Sequence, residues 1–269
     1  MMILINTPNN MVKLSIIIVN FRSAHLLPEC LFSIREKILN RADSEIIIVN
    51  NDACENLENI KEKFPEVIII DNEKNVGYGQ ACNIGAKVAG GEILLFLNPD
   101  TKILSDNISE VLNLSNSKSV AIIGSGLVTE DGESQKWCAG EDINIWNLVK
   151  NNLGLAGDNK IINSKKPLEV AWVTGAAMFV KKDIFEALSG FDGKFFMYFE
   201  DVDLCKRIKI AGYKIVYNPL FQVFHRGGES HLEKKEQKEN YYTSQEYYFK
   251  KHCGAIQAAL LKILRKIFI

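Results

Sequence analysis

Short apolar runs rich in β-branched residues alternate with amphipathic stretches along the first half of the chain. The runs lack the polar alternation of a half-exposed strand, which predicts parallel strands covered on both faces. They are Leu14–Val19, Glu45–Val49, Val67–Ile70, Glu92–Leu97 and Val120–Ile123. The stretches between them predict helices over Ala24–Leu39, Glu55–Phe64, Gly79–Ala89 and Ser105–Leu114. Strands that alternate with helices predict an α/β fold, with a mostly parallel central sheet flanked by helices.

The second half of the chain is less regular. From about residue 125 to residue 170 the apolar pattern weakens, and it resumes at Val170–Val180. A helix is predicted from about Glu200 to Ala211, because Gly212 follows as the expected C-terminal glycine.

The last segment of the chain predicts another helix, over Ala255–Ile269. Apolar residues surround most of it, and Lys262, Arg265 and Lys266 lie on one side. This basic amphipathic pattern is typical of helices on an anionic membrane surface. A helix that packs on its own domain or on a second subunit has a similar apolar stripe, so both interpretations stay open.

Composition and charge limit the classes of function. The chain has 269 residues, 32 Lys+Arg against 33 Asp+Glu, and a formal net charge of −1, which excludes a basic coat for nucleic acid. The six cysteines form no C-x-x-C pair, which indicates a reducing environment. No apolar run reaches the roughly 18 residues of a membrane span. We therefore expect a cytoplasmic protein, peripheral on the inner face of the membrane if its last helix binds lipid, with residues 1–12 as an extension unlike a signal peptide.

Amide and carboxylate side chains follow four successive predicted strands. In open α/β sheets, ligands bind beyond the carboxyl ends of the strands. Asn and Asp are also common turn and cap residues, but four coincident sites favour a binding rim. The residues are Asn20, Phe21 and Arg22, then Asn50, Asn51 and Asp52, then Asp71, Asn72 and Asn75, and finally Asn98, Pro99 and Asp100.

Two of these turns suggest phosphate chemistry. Gly77 and Gly79 precede a predicted helix whose N-terminus can favour a phosphate, although the segment has neither a Walker loop nor a dinucleotide fingerprint. Pro99 ends an apolar strand, and Asp100 beside it could hold a divalent cation that bridges phosphates. A plain strand-ending turn is the alternative at Asp100.

A cluster of acidic residues begins the predicted helix at Glu200. The helix dipole favours acids there, so Glu200, Asp201 and Asp203 have a structural explanation. Asp203 can also pair with Arg207 at i,i+4. Helical spacing places Glu200 and Asp201 towards the core and Asp203 further away. Because a buried carboxylate can have its basicity tuned for proton abstraction, Asp201 is the candidate catalytic residue.

His225 follows the apolar run Leu220–Phe224. A lone histidine after a strand is usually structural, because a single ligand makes no metal site. Paired with Asp100 across the fold, it gives an oxygen and imidazole set that suits Mn²⁺ or Mg²⁺ better than zinc.

Together these segments resemble the family 2 inverting glycosyltransferases of the GT-A fold, and most closely their rhamnosyltransferase-like members. The resemblance runs from about Lys13 to Gly254 and implies a Rossmann-like sheet with a C-terminal helical extension. The matching pieces are SIIIVNF, EIIIVNND, NVGYGQACNIG, LFLNPD, VTGAAMFV, GFDGKFFMYFEDVDLCKRIKIAGYKIVYNP and VFHRGG.

The resemblance implies a domain plan. Residues 13–230 would form the GT-A domain, with a nucleotide-binding half over 13–124 and an acceptor and catalytic half over 125–230. Residues 231–269 would form a helical segment that contacts a membrane or a second subunit.

The resemblance also implies roles for single residues. Asp201 would be the general base with Glu200 as the other acid of the catalytic pair, and Asp100 and His225 would bind Mn²⁺ or Mg²⁺ on the diphosphate. Asn98 replaces the first acid of the family's D-x-D, which implies weak metal binding or more reliance on His225 and the donor's phosphates. At the second strand, Asn50-Asn51-Asp52-Ala53 replaces the usual Asp-Asn with a nearby Ser. The residues expected to bind the nucleotide sugar are Val19, Asn20, Phe21, Asn50, Asn51, Asn75, Gly77, Asn83, Asn98, Asp100 and Gly175.

The implied function is transfer of a sugar from a dTDP- or UDP-sugar to a glycan or lipid-linked acceptor in cell-surface polysaccharide synthesis. Rhamnose as the sugar rests on the subfamily resemblance alone. A sugar-phosphate nucleotidyltransferase is one alternative, but it would need a glycine-rich basic loop where this chain has Asn20-Phe21-Arg22. A non-catalytic nucleotide-sugar-binding homologue is the other, and intact Asp100, Asp201 and His225 disfavour it.

Overall fold

A computed structural model describes residues 13–39, 43–152, 158–227 and 234–268. The predicted extension over residues 1–12 and the first part of the predicted C-terminal segment, residues 231–233, lie outside these ranges. The strands are β1 (Leu14–Asn20), β2 (Ser44–Asn50), β3 (Ile68–Asp71), β4 (Ile93–Leu97), β5 (Thr101–Ile103), β6 (Val120–Val128), β7 (Ala139–Gly140), β8 (Leu168–Val170), β9 (Trp172–Val173), β10 (Ala177–Lys181) and β11 (Lys214–His225).

Helices cover both faces of the sheet and form the C-terminal part of the chain. The first of them continues as one π-helical turn over Arg35–Leu39. The helices are α1 (Leu27–Ile34), α2 (Glu58–Lys63), α3 (Tyr78–Val88), α4 (Ile108–Ser115), α5 (Ile145–Asn152), α6 (Asp158–Ile162), α7 (Lys182–Ala187), α8 (Glu200–Ile210), α9 (Lys234–His252) and α10 (Gly254–Phe268).

The main sheet has the strand order β3-β2-β1-β4-β10-β6-β11-β5, and β8 pairs with the other part of β11. The four strands β3, β2, β1 and β4 are all parallel, which confirms the predicted α/β sheet. The second half adds antiparallel strands, because β10 runs against both β4 and β6. The long strand β11 runs parallel to β6 and carries β8 and β5 on its other edge.

Pairing in register brings the polar strand ends together. Asn20 at the end of β1 is the partner of Asn50 at the end of β2, and Asn50 is in turn the partner of Asp71 on β3. The strand β11 ends with His225 opposite Thr101 of β5, next to Asp100. The polar side chains at these strand ends therefore lie along one edge of the sheet, as predicted.

Some predicted elements differ from the structure. The third strand was expected to be covered on both faces, but β3 lies at the sheet edge and Ile68 is 42% exposed. The strand β6 continues past its predicted end at Ile123, because Gly124 leaves room for Val173 of β9. A Cβ atom on Gly124 would lie 2.5 Å from the Val173 Cβ atom. The first helix begins at Leu27 rather than Ala24, since Pro28 occupies its first turn.

The C-terminal helices pack on the domain and on each other. Arg265 of α10 binds Glu246 and Gln245 of α9 and lies 4.1 Å over the Tyr242 ring. Lys262 also pairs with Glu246. Two of the three predicted basic residues therefore bind α9. Among the described residues, no helix is both long and apolar enough to cross a membrane.

Candidate active site

One cavity of about 680 Å³ lies at the carboxyl ends of the strands. Its wall is formed by the ends of β1, β2 and β4, the start of α3, the turn before β10 and the start of α8. Most of the predicted site residues line it together. They are Val19, Phe21, Asn51, Asn75, Gly77, Asn98, Asp100, Gly175, Glu200, Asp201 and His225.

Asn20 and Asn50, two other predicted binding residues, are buried under the rim and bind the protein itself. The Asn20 amide donates to Asn50 Oδ1 at 3.0 Å and to Glu55 Oε2 at 2.7 Å. Asn50 donates to Asp71 Oδ1 at 2.8 Å. Neither side chain is part of the cavity wall, so the network ties the first three strand ends together beneath it.

Asn83, also predicted to bind the nucleotide sugar, lies on α3 away from the cavity wall. Its Oδ1 accepts the Phe191 N–H at 2.9 Å, and its amide donates to the Phe191 carbonyl at 2.8 Å. These two hydrogen bonds to the Phe191 backbone hold the segment that leads to α8.

Gly77 permits a close approach of two backbones. It has φ +85°, and a Cβ atom there would lie 2.4 Å from the Phe196 carbonyl oxygen. The Tyr78 N–H at the start of α3 donates to the same oxygen at 3.0 Å. The first N–H of α3 therefore anchors the segment before α8.

The candidate metal site joins two residues that are far apart in the sequence. His225 Nε2 lies 3.4 Å from Asp100 Oδ1 and 3.3 Å from the Asn98 amide nitrogen. Burial opposes the charged form of Asp100, but the hydrogen bond and charge of His225 lower the pKa of this carboxyl. Asp100 Oδ2 also accepts the Gly227 N–H at 3.2 Å.

The other ring nitrogen of His225 binds Gln135. The Nδ1 atom lies 2.7 Å from Gln135 Oε1, which can only accept, so Nδ1 carries a proton. When the ring carries only this proton, the Nε2 lone pair lies beside the Asp100 carboxylate, an arrangement that a cation would stabilise. No group of three or more His, Cys, Asp or Glu able to hold a metal occurs among the described residues. The pair therefore suits a cation only if further ligands would come from outside these two side chains.

The predicted catalytic pair, Glu200 and Asp201, lies at the start of α8, after two residues with strained backbone. Tyr198 and Phe199 have φ values of +69° and +66°, in the left-handed region that residues other than glycine rarely adopt. Asp201 Oδ2 accepts the Gly175 N–H, and its Oδ1 accepts the Val202 N–H, both at 2.8 Å. Burial raises the pKa of Asp201 although these backbone bonds favour its charged form.

Asp203 was expected to point away from the core, and this prediction is wrong. The side chain is fully buried, because α9 covers this side of α8. Its Oδ2 accepts from Arg207 Nε at 2.8 Å, which confirms the predicted i,i+4 pair. Its Oδ1 accepts from His252 at 2.7 Å and from Lys251 at 2.6 Å.

The helix α9 also supports the strained segment before Glu200 and Asp201. The Ser244 hydroxyl donates to the Met197 carbonyl at 2.7 Å. The rings of Tyr241 and Tyr248 lie 5.4 and 5.5 Å from the Phe199 ring. The C-terminal segment is therefore part of the site, beyond its predicted outward contacts.

Three residues that shape the site are not among the predicted site residues. Gln135 orients His225 from 90 residues away, and Glu55 binds the Asn20 amide from 35 residues away. Trp137 lines the cavity with φ +65° and 66% of its surface exposed. None belongs to a motif with a spacing that links it to its partner, so no sequence signal identifies them.

Comparison with known proteins identifies the family. Residues 15–189, which are well over half of the chain, match the model of the family described as "Glycosyl transferase family 2". The chain belongs to glycosyl transferase family 2. The predicted family resemblance is thus confirmed, and the chain is a glycosyltransferase by family.

Two similar proteins are sugar transferases according to their names. Rhamnosyltransferase WbbL of Escherichia coli (strain K12) is 30% identical over 166 residues, which cover 55% of this chain and 60% of WbbL. The low-salt glycan biosynthesis hexosyltransferase Agl10 of Haloferax volcanii is 26% identical over 200 residues, which cover 73% of this chain and 61% of Agl10.

A solved structure confirms the GT-A fold. The mannosyltransferase PcManGT from Pyrobaculum calidifontis, in complex with GDP-Man and Mn²⁺, superposes with a TM-score of 0.63 at 15% identity. The match covers 90% of this chain and 64% of that one. The chain thus spans less than two thirds of the length of each of these three proteins.

Proposed function

We propose that the chain is an inverting glycosyltransferase that moves a sugar from a nucleoside-diphosphate sugar to a hydroxyl of a glycan or lipid-linked glycan acceptor. The observation that carries the proposal is that Asp201 and the Asp100–His225 pair line the same cavity. The GDP-Man and Mn²⁺ bound to PcManGT support a nucleotide-sugar donor and a divalent cation. The rhamnosyltransferase relative supports dTDP-rhamnose as the first donor to test, with UDP-sugars next.

Asp201 is the proposed general base. Its carboxylate is held by the backbone N–H groups of Gly175 and Val202 at the cavity wall, and its raised pKa makes it a better proton acceptor. As the acceptor oxygen bonds to the anomeric carbon, its proton passes to Asp201. The bond from that carbon to the diphosphate oxygen breaks on the opposite face, and the oxygen leaves with the electron pair. The anomeric configuration is thereby inverted.

Asp100 and His225 are the proposed ligands of Mn²⁺ or Mg²⁺. When bound there, the cation would neutralise the charge that develops on the leaving diphosphate. Among the rim residues, Asn51 and Asn75 bind each other at 2.8 Å, and the Asn51 oxygen also accepts the Val76 N–H at 3.1 Å. We infer that this fixed pair of amides forms one wall of the nucleotide site.

A transfer assay tests the function. The purified chain is incubated with Mn²⁺ and a panel of dTDP-, UDP- and GDP-sugars, and release of the nucleoside diphosphate and the product anomer are measured. Asp201→Asn is expected to lower turnover by about 10²- to 10⁴-fold, the usual contribution of a general base, with donor affinity preserved. The loop variant Asp131→Asn serves as the control of equal charge change. Near-normal turnover of Asp201→Asn would refute the assignment.

An outward contact of α10 is a separate part of the proposal. Its residues Ile256, Leu260 and Ile263 are all exposed and share one face at helical spacing. This stripe supports contact with a membrane surface or with a second copy of the chain. Replacing all three by Ser should abolish sedimentation with anionic liposomes in the first case, or dimerisation in size-exclusion chromatography in the second. If the unaltered protein shows neither property, the contact is rejected.

A further inference from the structure

The carboxyl group of Glu200 lies in a different environment from that of its neighbour Asp201. Glu200 is the first residue of α8, it lines the cavity, and only 6% of it is exposed. Its Oε2 atom is buried and has no hydrogen-bond partner among the described residues. Because a buried polar atom without a partner is unfavourable, this oxygen marks a position where a ligand atom completes the bond.

The two acids divide charge and proton between them. Each carboxylate oxygen of Asp201 accepts one backbone N–H at 2.8 Å, and these bonds stabilise its ionised form. Oε2 of Glu200 receives no such bond from the described residues. Since adjoining buried carboxyl groups resist ionising together, the charge stays on Asp201 and the proton on Glu200.

The surroundings of Glu200 favour its neutral form. Within the described parts of the chain, the titratable groups that interact with its charge are Tyr78 and Cys82 of α3, and Asp201 and Asp203 of its own helix. None of these four groups is a cation. Burial, and then the charge of Asp201, raise the pKa of Glu200 well above its usual range.

Close packing of α3 shields the stem of Glu200 from water. A Cβ atom on Gly79 would lie 3.4 Å from the Glu200 Cβ atom, so the two helices nearly touch here. The carboxyl end remains at the cavity wall.

We propose that Glu200 is a neutral carboxylic acid that donates a hydrogen bond from Oε2 to an oxygen of a substrate sugar in the cavity. The inference rests on the proposed glycosyl transfer for the identity of the ligand. Glu200 is then a substrate-binding donor and keeps its proton, while the proton of the acceptor hydroxyl passes to Asp201. A neutral acid gives a directed bond without placing a second negative charge beside the base.

Infrared difference spectroscopy tests the protonation state independently of any activity. At neutral pH the protein should show the C=O stretch of a buried protonated carboxyl group. Glu200→Gln should remove this band, and Asp201→Asn should keep it. If Glu200→Gln removes no such band from the spectrum of the unaltered protein, the proposal is overturned, whether or not a nucleotide sugar is turned over.

Transfer kinetics test the donated bond. Glu200→Gln keeps a neutral donor, whereas Glu200→Met keeps only the approximate volume, and thermal melting by circular dichroism confirms that both variants are folded. We expect kcat/KM of the Gln variant to exceed that of the Met variant at least tenfold. Equal losses would show that no donated bond is needed. In the Met variant, a raised KM for the donor or for the acceptor identifies the sugar that receives the bond.

The pH profile gives a third readout. Activity of the unaltered protein should fall on the alkaline side as Glu200 loses its proton, and Glu200→Gln should lack this fall. Persistence of the same alkaline fall in the Gln variant would contradict the role of the proton. If the infrared band is present but the unaltered protein transfers no sugar, the proposed function fails and the protonated acid stands.

Discussion

Replacement of Asp203 by Asn should destabilise the whole domain, because this carboxylate joins α8 to α9. It accepts hydrogen bonds from three basic side chains, those of Arg207, Lys251 and His252. Asp203 itself is fully buried, and the three partners are 18%, 26% and 7% exposed. Removing one partner of a buried ion pair costs about 3–5 kcal/mol, since the remaining charges lose their compensation. Water reaches Arg207 and Lys251 in part, so we expect a loss near the lower end, about 3 kcal/mol.

The free energy of unfolding measures this effect. Urea unfolding can be followed by the fluorescence of the three tryptophans. The control is Glu169→Gln, which removes the same charge from the exposed pair with Lys214, whose side chains are 52% and 53% exposed. That change should cost less than about 1 kcal/mol. If Asp203→Asn is as mild as the control, the reasoning about the buried cluster is refuted.

The same carboxylate predicts a pH dependence of stability. Burial opposes its ionisation, but the hydrogen bonds of His252 and Lys251 and the charge of Arg207 lower the pKa of Asp203 below its ordinary 3.8. A lowered pKa contributes stability that is complete above the unfolded value and is lost as the pH falls through the folded value. Below pH 3.8 the unaltered protein should therefore lose more stability than Asp203→Asn. Parallel acid profiles of the two proteins would contradict this.

Three further changes test other parts of the protein. Trp137→Ala should raise the KM for the acceptor, since the indole lines the cavity. The control is Trp146→Ala, because Trp146 is similarly exposed but lies outside the cavity wall. Equal effects of the two changes would reject the role of Trp137. Gly124→Ala should cost about 1–3 kcal/mol by overpacking against β9, and an unchanged Tm would contradict the close contact. Gln135→Leu should weaken Mn²⁺ affinity by about 10- to 100-fold in calorimetry, because His225 loses the bond that orients its ring, and unchanged affinity would exclude this orienting role.

Local chemistry accounts for the features that sequence analysis predicted. Continuous β-branched runs favour strands covered on both faces, and β1, β2 and β4 are such strands. Helix α8 ends at Ile210, with Gly212 at φ +88°, as the glycine signal predicts. The edge position of β3 was not predictable, because an apolar run does not state how many neighbours its strand will have.

The sequence by itself determined most of the residues that reach the rim, because strand ends, Pro99 and the acidic helix start are encoded within a few residues. Only the tertiary structure decided what each of them contacts. It buried Asp203 under α9, placed Gln135 behind His225 and turned Asn20 and Asn83 towards the protein itself. It also left the buried Oε2 of Glu200 at the cavity wall, without a partner among the described residues. The physical reason is that burial and hydrogen-bond partners depend on elements that meet only when the whole sheet and its C-terminal helices have packed.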